Sequence, residues 1–231
     1  MYPFFFGYDP TWFLLIPGLI VAFWAQAKVS GTFARYSRVR ARRGLTGAQV
    51  ARALLDDAGL TDVTVEAIPG NLSDHYDPRR RAVRLSEAVY GEQSLAALGV
   101  AAHETGHALQ HAAHYAPLGL RNSLFPVANL GSTLAFPLFF LGFLFRGGFL
   151  MDLGIALFTG ALVFQVITVP VELNASRRAV ALLEGGGYLE PEETEGAWKV
   201  LSAAAWTYVA AALVALLQLV RLLALRSSRD D

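Results

Sequence analysis

Apolar residues in this chain gather into four long runs. The runs cover Thr11–Ala27, Leu124–Phe145, Phe149–Val171 and Leu201–Val220, and the only charged residue inside them is Asp152. Each run approaches the length of about 20 residues at which a helix crosses a bilayer. Because four such runs in 231 residues leave too little polar sequence to surround them in water, we predict four transmembrane helices.

The one long polar region, residues 28–122, has the pattern of a small α+β domain. Thr46–Gln49 fits a helix capping box, and Val63–Ile68 and Ala82–Ser86 have the composition of short strands. A helix is predicted from about 94 to 111. The fold class is therefore mainly α and integral to the membrane, with about four transmembrane helices and a small α+β region.

Composition narrows the classes of function. Hydrophobic residues make up 54% of the chain and charged residues 16%, which is more apolar than an ordinary soluble domain. The formal net charge is zero and the basic residues cluster beside a membrane run, so no nucleic-acid surface is expected. Because the chain has no cysteine, disulfides and thiolate metal ligands are excluded, and any metal must be held by histidine and carboxylate.

Basic residues give the expected orientation in the membrane. They closely follow the first run, at Lys28, Arg35, Arg38, Arg40, Arg42 and Arg43. The positive-inside rule predicts a multi-pass protein of the inner (plasma) membrane with this flank in the cytoplasm and the N-terminus outside. Arg221, Arg226 and Arg229 draw the C-terminus inward, against the simple count of four crossings, and leave its side open.

The predicted helix at 94–111 carries the pattern His-Glu-x-x-His at His103, Glu104 and His107. Residues four apart share one face of a helix, so both imidazoles can bind one Zn²⁺ while Glu104 lies beside the open coordination position. This spacing predicts a zinc-dependent hydrolase with Glu104 as the catalytic base. The alternative is a polar helix face that carries two solvated histidines.

A catalytic zinc site needs a third protein ligand. The metzincin extension is absent, because Gln110 and Ala113 occupy positions where that pattern has glycine and histidine. His111 lies one turn after His107, but ligands at i, i+4 and i+8 of a helix spread over about 12 Å. His111 is therefore expected to support a ligand or close the helix rather than bind the metal.

Glu172, directly after the third run, is the carboxylate best placed to complete the site. The second and third runs are joined by a short loop and should form an antiparallel hairpin that returns the chain to the membrane surface it left. His107 precedes the outgoing arm and Glu172 follows the returning arm, so both reach one surface. The alternative is a solvated Glu172, with His75 or Asp77 as the third ligand.

Four segments carry a family resemblance: Asp74–Pro78, Val83–Glu87, Ala101–Ala108 and Pro170–Arg178. Together they resemble the bacterial YugP-type membrane proteins, a group of neutral zinc metallopeptidases, over nearly the whole chain. More distantly, the chain is similar to the HtpX-like membrane endopeptidases, whose zinc site uses two helix histidines and a glutamate that opens a Glu-x-x-x-Asp pattern. The resemblance implies a gluzincin-like site.

One position departs from the HtpX-like pattern. This chain has Ser176 where those enzymes have the aspartate. In them the aspartate is expected to orient a zinc-bound imidazole, so the resemblance leaves that role with Ser176 or with another residue.

The expected activity is endopeptidase hydrolysis of peptide bonds near the membrane surface, with Zn²⁺ and Glu104 activating water. By residue type alone, the oxyanion donor is sought among His75, Tyr76, His114 and Tyr115. One of the short strands is expected to pair with an extended substrate. Two other classes of function stay open. One is a zinc-binding membrane scaffold or partner-binding protein without turnover, although the intact Glu104 argues against it. The other is a small transporter, although the absence of histidine from the apolar runs argues against it.

The expected partners are the lipid bilayer and a membrane-associated protein or peptide substrate, because the zinc helix and Glu172 each adjoin a membrane run. The oligomeric state is not predicted. The chain divides into five predicted segments: an N-terminal membrane anchor at 1–27, a catalytic region at 28–122, a transmembrane hairpin at 123–171, a third-ligand helix with an acidic loop at 172–200, and a C-terminal transmembrane helix at 201–231.

Overall fold

A computed structural model describes residues 10–228 of the chain. The beginning of the predicted anchor at 1–27, and Arg229 at the other end, lie outside the described residues. In chain order the elements are a 3-10 helix (Pro10–Leu15), α1 (Ile16–Tyr36), α2 (Gly47–Asp57), β1 (Thr64–Ile68), β2 (His75–Asp77), β3 (Ala82–Ser86), α3 (Glu87–Tyr90), α4 (Leu95–Ala112), α5 (Ala116–Phe145), α6 (Gly148–Gly185) and α7 (Pro191–Ser227).

The chain forms two compact units. Among the described residues, the first unit comprises 10–24, 121–167 and 209–228, and the second comprises Ala25–Leu120 and Thr168–Tyr208. Within residues 10–228, four helices are long and apolar enough to cross a membrane: the 3-10 helix continued by α1, then α5, α6 and α7. The prediction of a mainly α, integral membrane fold with about four transmembrane helices is confirmed.

In the first unit, α5 and α6 pack backbone to backbone. A Cβ at Gly131 of α5 would lie 2.3 Å from the carbonyl oxygen of Leu157, and a Cβ at Gly154 of α6 would lie 2.7 Å from that of Ala135. Small residues of this kind let membrane helices approach closely. Only residues 146–147 separate the two helices, so the predicted hairpin is formed.

The second unit contains a three-stranded sheet of order β1-β3-β2. The central strand, β3, pairs parallel with β1 and antiparallel with β2. The predicted strands at 63–68 and 82–86 are confirmed as β1 and β3. The remaining strand, β2, lies in a stretch whose composition is that of a turn, and it forms one edge of the sheet.

The helix with the zinc pattern, α4, is buried on two sides within the second unit. On one side Ala101 packs with Val83 of β3, and on the other side Ala102 packs with Ala179 of α6. Both alanines have no exposed surface. The alanine-rich sequence thus lets the sheet and α6 lie close to α4 and fix its position.

The sequence predicts an acidic loop within residues 172–200, and for the acidic stretch at 191–195 this prediction is wrong. It forms the start of α7, which begins at Pro191 rather than near residue 201. Proline suits the first position of a helix, and acidic side chains stabilise the first turn. Glu193 also accepts hydrogen bonds from the backbone N–H groups of Arg42 at 2.8 Å and Glu190 at 3.0 Å.

Candidate metal centre

The His-Glu-x-x-His residues lie on a capped and buried helix. Ser94 is the N-cap of α4, and its Oγ accepts a hydrogen bond from the Ala97 N–H at 3.2 Å. The predicted helix at 94–111 is confirmed as Leu95–Ala112. Its periodicity puts His103 and His107 on one face, with their ring centroids 4.7 Å apart.

Glu172 of α6 completes a cluster of three residues. Its Oε2 lies 3.2 Å from His103 Nε2 and 3.4 Å from His107 Nε2, and the potential metal-binding atoms all lie within 4.8 Å of one another. Two ligands of a tetrahedral zinc ion with bonds of about 2.0–2.1 Å are separated by roughly 3.3 Å. Two imidazole nitrogens and one carboxylate oxygen at these separations fit a zinc ion.

A close contact between α4 and α6 brings Glu172 to the histidines. Gly106 lies against Ala175, and a Cβ at position 106 would be 2.8 Å from the Ala175 carbonyl oxygen. Because the atom in its way belongs to the backbone, a side chain at 106 requires the helices to separate. The glycine inside the zinc pattern therefore sets the distance between these two helices.

His107 is oriented by a hydrogen bond at Nδ1. This nitrogen lies 2.9 Å from Gln110 Oε1, and the Gln110 amide nitrogen donates to the Val171 carbonyl at 2.8 Å and to Asn174 Oδ1 at 3.0 Å. Because both amide hydrogens are used in this way, Oε1 faces the imidazole as an acceptor and Nδ1 carries the proton. Nε2 then directs its lone pair toward Glu172, as metal binding requires.

His103 is oriented in a similar way by Ser176. The Ser176 Oγ lies 3.1 Å from His103 Nδ1. The resemblance to HtpX-like enzymes assigns this contact to an aspartate, and here a neutral hydroxyl makes it. Ser176 is only 2% exposed, so water does not compete for the hydrogen bond.

Glu104 differs from its neighbours because its carboxylate is free. The residue is 8% exposed, yet within residues 10–228 no hydrogen bond or ion pair involves its side chain. No Glu104 oxygen is among the buried side-chain atoms of residues 10–228 that lack a hydrogen-bond partner, so the carboxylate reaches solvent. The carboxylate is therefore available to a molecule that enters the site beside His103.

The charges of the cluster favour a bound cation. Burial lowers the pKa of His107, but the hydrogen bond that protonated His107 donates to the Glu172 carboxylate, together with the charges of Glu172 and Glu104, raises this pKa by more, and the net shift is upward. The carboxylates thus stabilise positive charge at the imidazoles. A divalent cation held by the same atoms would meet the same negative charge.

Other side chains singled out in the sequence have different partners. The Tyr76 hydroxyl lies 2.9 Å from His111 Nδ1, which links β2 to α4, and burial raises the pKa of Tyr76. His75 is exposed, and its Nδ1 donates to the Ser73 carbonyl at 2.8 Å. Within residues 10–228, the one group of side chains able to hold a metal ion includes neither His75 nor His111.

Three further residues singled out in the sequence, His114, Tyr115 and Asp77, are also not part of the group able to hold a metal ion. His114 is exposed and follows α4 in the left-handed conformation, with φ of 49°, and Tyr115 is the next residue. Asp77, the alternative third ligand, accepts hydrogen bonds from the backbone N–H groups of Arg79 at 2.9 Å and Arg80 at 3.1 Å. Its carboxylate therefore closes the turn after β2.

The sequence did not identify the part that Gln110 and Asn174 play in the site. Asn174 Oδ1 also accepts a hydrogen bond from Arg178 Nε at 2.8 Å, so a chain of hydrogen bonds runs from α6 to His107. The only signal in the sequence is proximity, because Gln110 lies one turn after His107 and Asn174 lies close to Glu172.

Comparison with known proteins agrees with this chemistry. A family model described as “Putative neutral zinc metallopeptidase” matches residues 11–227. The chain is 54% identical over 210 residues to a Bacillus subtilis (strain 168) protein named “Putative membrane protease YugP”, and the alignment covers 90% of this chain and 93% of that protein. No solved structure matches the chain.

Proposed function

This chain belongs to the neutral zinc metallopeptidase family, and from that premise we propose that it is a membrane-embedded, zinc-dependent endopeptidase that hydrolyses peptide bonds near the membrane surface. One observation carries the proposal. A set of three residues that fits zinc lies beside Glu104, which is 8% exposed and whose carboxylate makes no hydrogen bond or ion pair among the described residues.

His103, His107 and Glu172 would hold the ion and leave a fourth position for water or substrate. A zinc ion in this set supplies Lewis acidity, which polarises the scissile carbonyl and makes water a stronger acid. The three side chains are only 14%, 11% and 4% exposed. Their burial keeps bulk water away, so charges inside the site interact more strongly than they would in water.

Glu104 is the proposed general base. Its carboxylate accepts a proton from the attacking water and then donates that proton to the leaving amine nitrogen. Ser176 and Gln110 keep the two imidazoles in position during this exchange. A purely structural zinc site has no use for a free carboxylate, and this supports an enzyme over a zinc-binding scaffold.

The strand β2 is the proposed binding edge for the substrate. It lies at the edge of the sheet, whereas β3 is central and has no free edge. The contact between Tyr76 and His111 holds β2 against α4, one turn from the ligand His107. An extended peptide that adds to an edge strand pairs through its backbone, which suits an enzyme that accepts many sequences.

We also propose that the catalytic region is cytoplasmic and that the substrates are associated with the membrane. The cluster of basic residues at 28–43 supports the first proposal. The second is supported by α6, which runs without interruption from its apolar run at 149–171 to Glu172. A third ligand directly after an apolar run favours a site near the lipid headgroups.

Substitution of Glu104 by glutamine tests the mechanism. The amide is nearly isosteric with the carboxylate but cannot accept the proton, so Glu104→Gln should bind zinc normally and lose about 10²- to 10⁴-fold in peptide hydrolysis. The measurements are zinc content of the purified protein and turnover of a peptide library. A proteomic comparison of membranes from cells with wild-type and Glu104→Gln protein should reveal uncut substrates, most of them membrane proteins.

Glu87→Gln is the matched control, because Glu87 is an exposed carboxylate on α3. It should leave both zinc content and turnover unchanged. Near-wild-type turnover in Glu104→Gln would rule out this base. A wild-type protein that holds zinc but cleaves nothing, either as purified protein or in membranes, would support the scaffold instead.

A further inference from the structure

A row of polar side chains lies on the exposed face of α5. Asn122, Asn129 and Thr133 occupy positions i, i+7 and i+11, which fall on one side of a helix, and all three are exposed. We call these three residues the polar stripe. Asn129 lies five residues inside the apolar run that begins at Leu124, about 7.5 Å along the helix, so its side chain is at the depth of the lipid chains.

An adjoining face of α5 is used for packing within the chain. Ala128, Ala135 and Phe139 are buried, and Gly131 allows the backbone contact with α6. The three residues of the polar stripe lie outside this buried face and are exposed, beside Phe125 and Phe136, which contact Phe164 and Phe158 of α6. In a bilayer the exposed side of the stripe faces lipid or another membrane segment.

The side chain of Asn129 needs a partner in that direction. Among residues 10–228 its carboxamide has no hydrogen-bond partner, while the hydroxyls of Ser132 and Thr133 donate to the Asn129 backbone carbonyl at 3.0 and 2.9 Å. A carboxamide that faces lipid loses its hydrogen bonds with water, and polar side chains in membranes regain them from neighbouring helices. The Asn129 carboxamide would therefore be stabilised by a polar group at the same depth on another helix.

We propose that the polar stripe is a contact surface between two copies of this chain in the membrane. A carboxamide carries both a donor and an acceptor, so Asn129 is complementary to itself. Two copies with the same orientation, related by a twofold axis along the bilayer normal, place α5 against α5 in parallel. Each Asn129 then meets its counterpart at the same depth, as buried asparagines do in parallel helix dimers.

The rest of this face suits the same contact. Phe140 follows the stripe and is 60% exposed, so it can pack against its counterpart, whereas Phe136 packs against Phe158 of α6 with ring centroids 5.4 Å apart. The stripe has no charged residue that would repel a second copy. A lipid-facing role would require none of its polar side chains.

Disulfide cross-linking in membranes tests the proposal, because the chain has no native cysteine. Thr133→Cys introduces a thiol on the polar stripe and retains both asparagines. Leu134→Cys is the matched control, since Leu134 is 42% exposed on the same helix but on another side of it. Mild oxidation of membranes with the full chain should give a covalent dimer with Thr133→Cys and little with Leu134→Cys.

A second substitution tests the role of the carboxamide. In the Thr133→Cys chain, Asn129→Leu should weaken association by roughly 3- to 30-fold, the range of single interhelical hydrogen bonds in membranes. Equal cross-linking of both cysteine variants, or none with either, would overturn the proposal. Cross-linking that Asn129→Leu does not reduce would overturn the contact between the two carboxamides. A covalent adduct with a different protein would show that the partner at this surface is not a second copy of this chain.

Discussion

Gly106→Ala tests whether the contact between α4 and α6 sets the zinc affinity. The added Cβ would lie 2.8 Å from the Ala175 carbonyl oxygen, whereas close carbon–oxygen contacts are about 3.3–3.6 Å. The helices must therefore separate by roughly 0.5 Å or more. Zinc sites tolerate errors of about 0.2 Å in ligand distance, so Glu172 loses its fit to both imidazoles. We expect zinc affinity to fall by about 10- to 100-fold although every ligand is retained.

Gly99→Ala is the matched control for this substitution. Gly99 lies on the same helix, and its Cβ would be 3.4 Å from the Cβ of Ala197, an ordinary contact. Both substitutions replace a helical glycine and should favour the helix by up to about 1 kcal/mol, so the control isolates the contact with α6. Zinc affinity is measured on the full chain in detergent by competition with a chelator, and circular dichroism checks the helix content.

Two results would refute this reasoning. Unchanged zinc affinity in Gly106→Ala would show that the site adapts to the wider spacing. An equal loss of zinc in Gly99→Ala would show that α4 is disturbed in general rather than at the contact with Ala175.

Glu172→Ala should lower zinc stoichiometry at micromolar free metal because one of three ligands is lost, and full occupancy with unchanged affinity would put the third ligand elsewhere. Gln110→Leu should weaken zinc binding by about 10- to 100-fold, because His107 Nδ1 loses its acceptor, and a chelator competition that matches wild type would contradict this. Gly70→Cys should react with an impermeant thiol reagent only from the cytoplasmic side, and labelling only from the outer side would reverse the proposed topology.

Structural features that depend on residues close together in the chain could be predicted from the sequence. The capping box is formed as predicted: Thr46 Oγ1 accepts from the Gln49 N–H at 3.3 Å, and Gln49 Oε1 accepts from the Thr46 N–H at 2.9 Å. The proximity of Glu172 to the zinc helix was also accessible, although it is distant in sequence. A hairpin of two membrane spans must return the chain to the surface from which it started. This topology predicted that Glu172 lies near His107 without any knowledge of their contact.

Structural features that depend on contacts between distant segments of the chain could not be predicted from the sequence. The side chains of Gln110 and Asn174 are 64 positions apart and meet only because Gly106 lets α4 and α6 touch. The strand β2 has three residues, too few to show an alternating pattern, and it exists through pairing with β3, as His75 opposite Arg84 illustrates. In both cases a local pattern is missing because the partner supplies the stabilisation.

Charge balance gives a physical reason for Ser176. Glu172 and Glu104 bring two negative charges to the site, and a zinc ion brings two positive ones, so the loaded site is neutral. A carboxylate at position 176, which is 2% exposed, would add a third negative charge in surroundings where unpaired charge is costly. Ser176 and Gln110 orient the two imidazoles through neutral groups instead. The negative charge of the site is thereby confined to the residue that binds the metal and the residue that moves the proton.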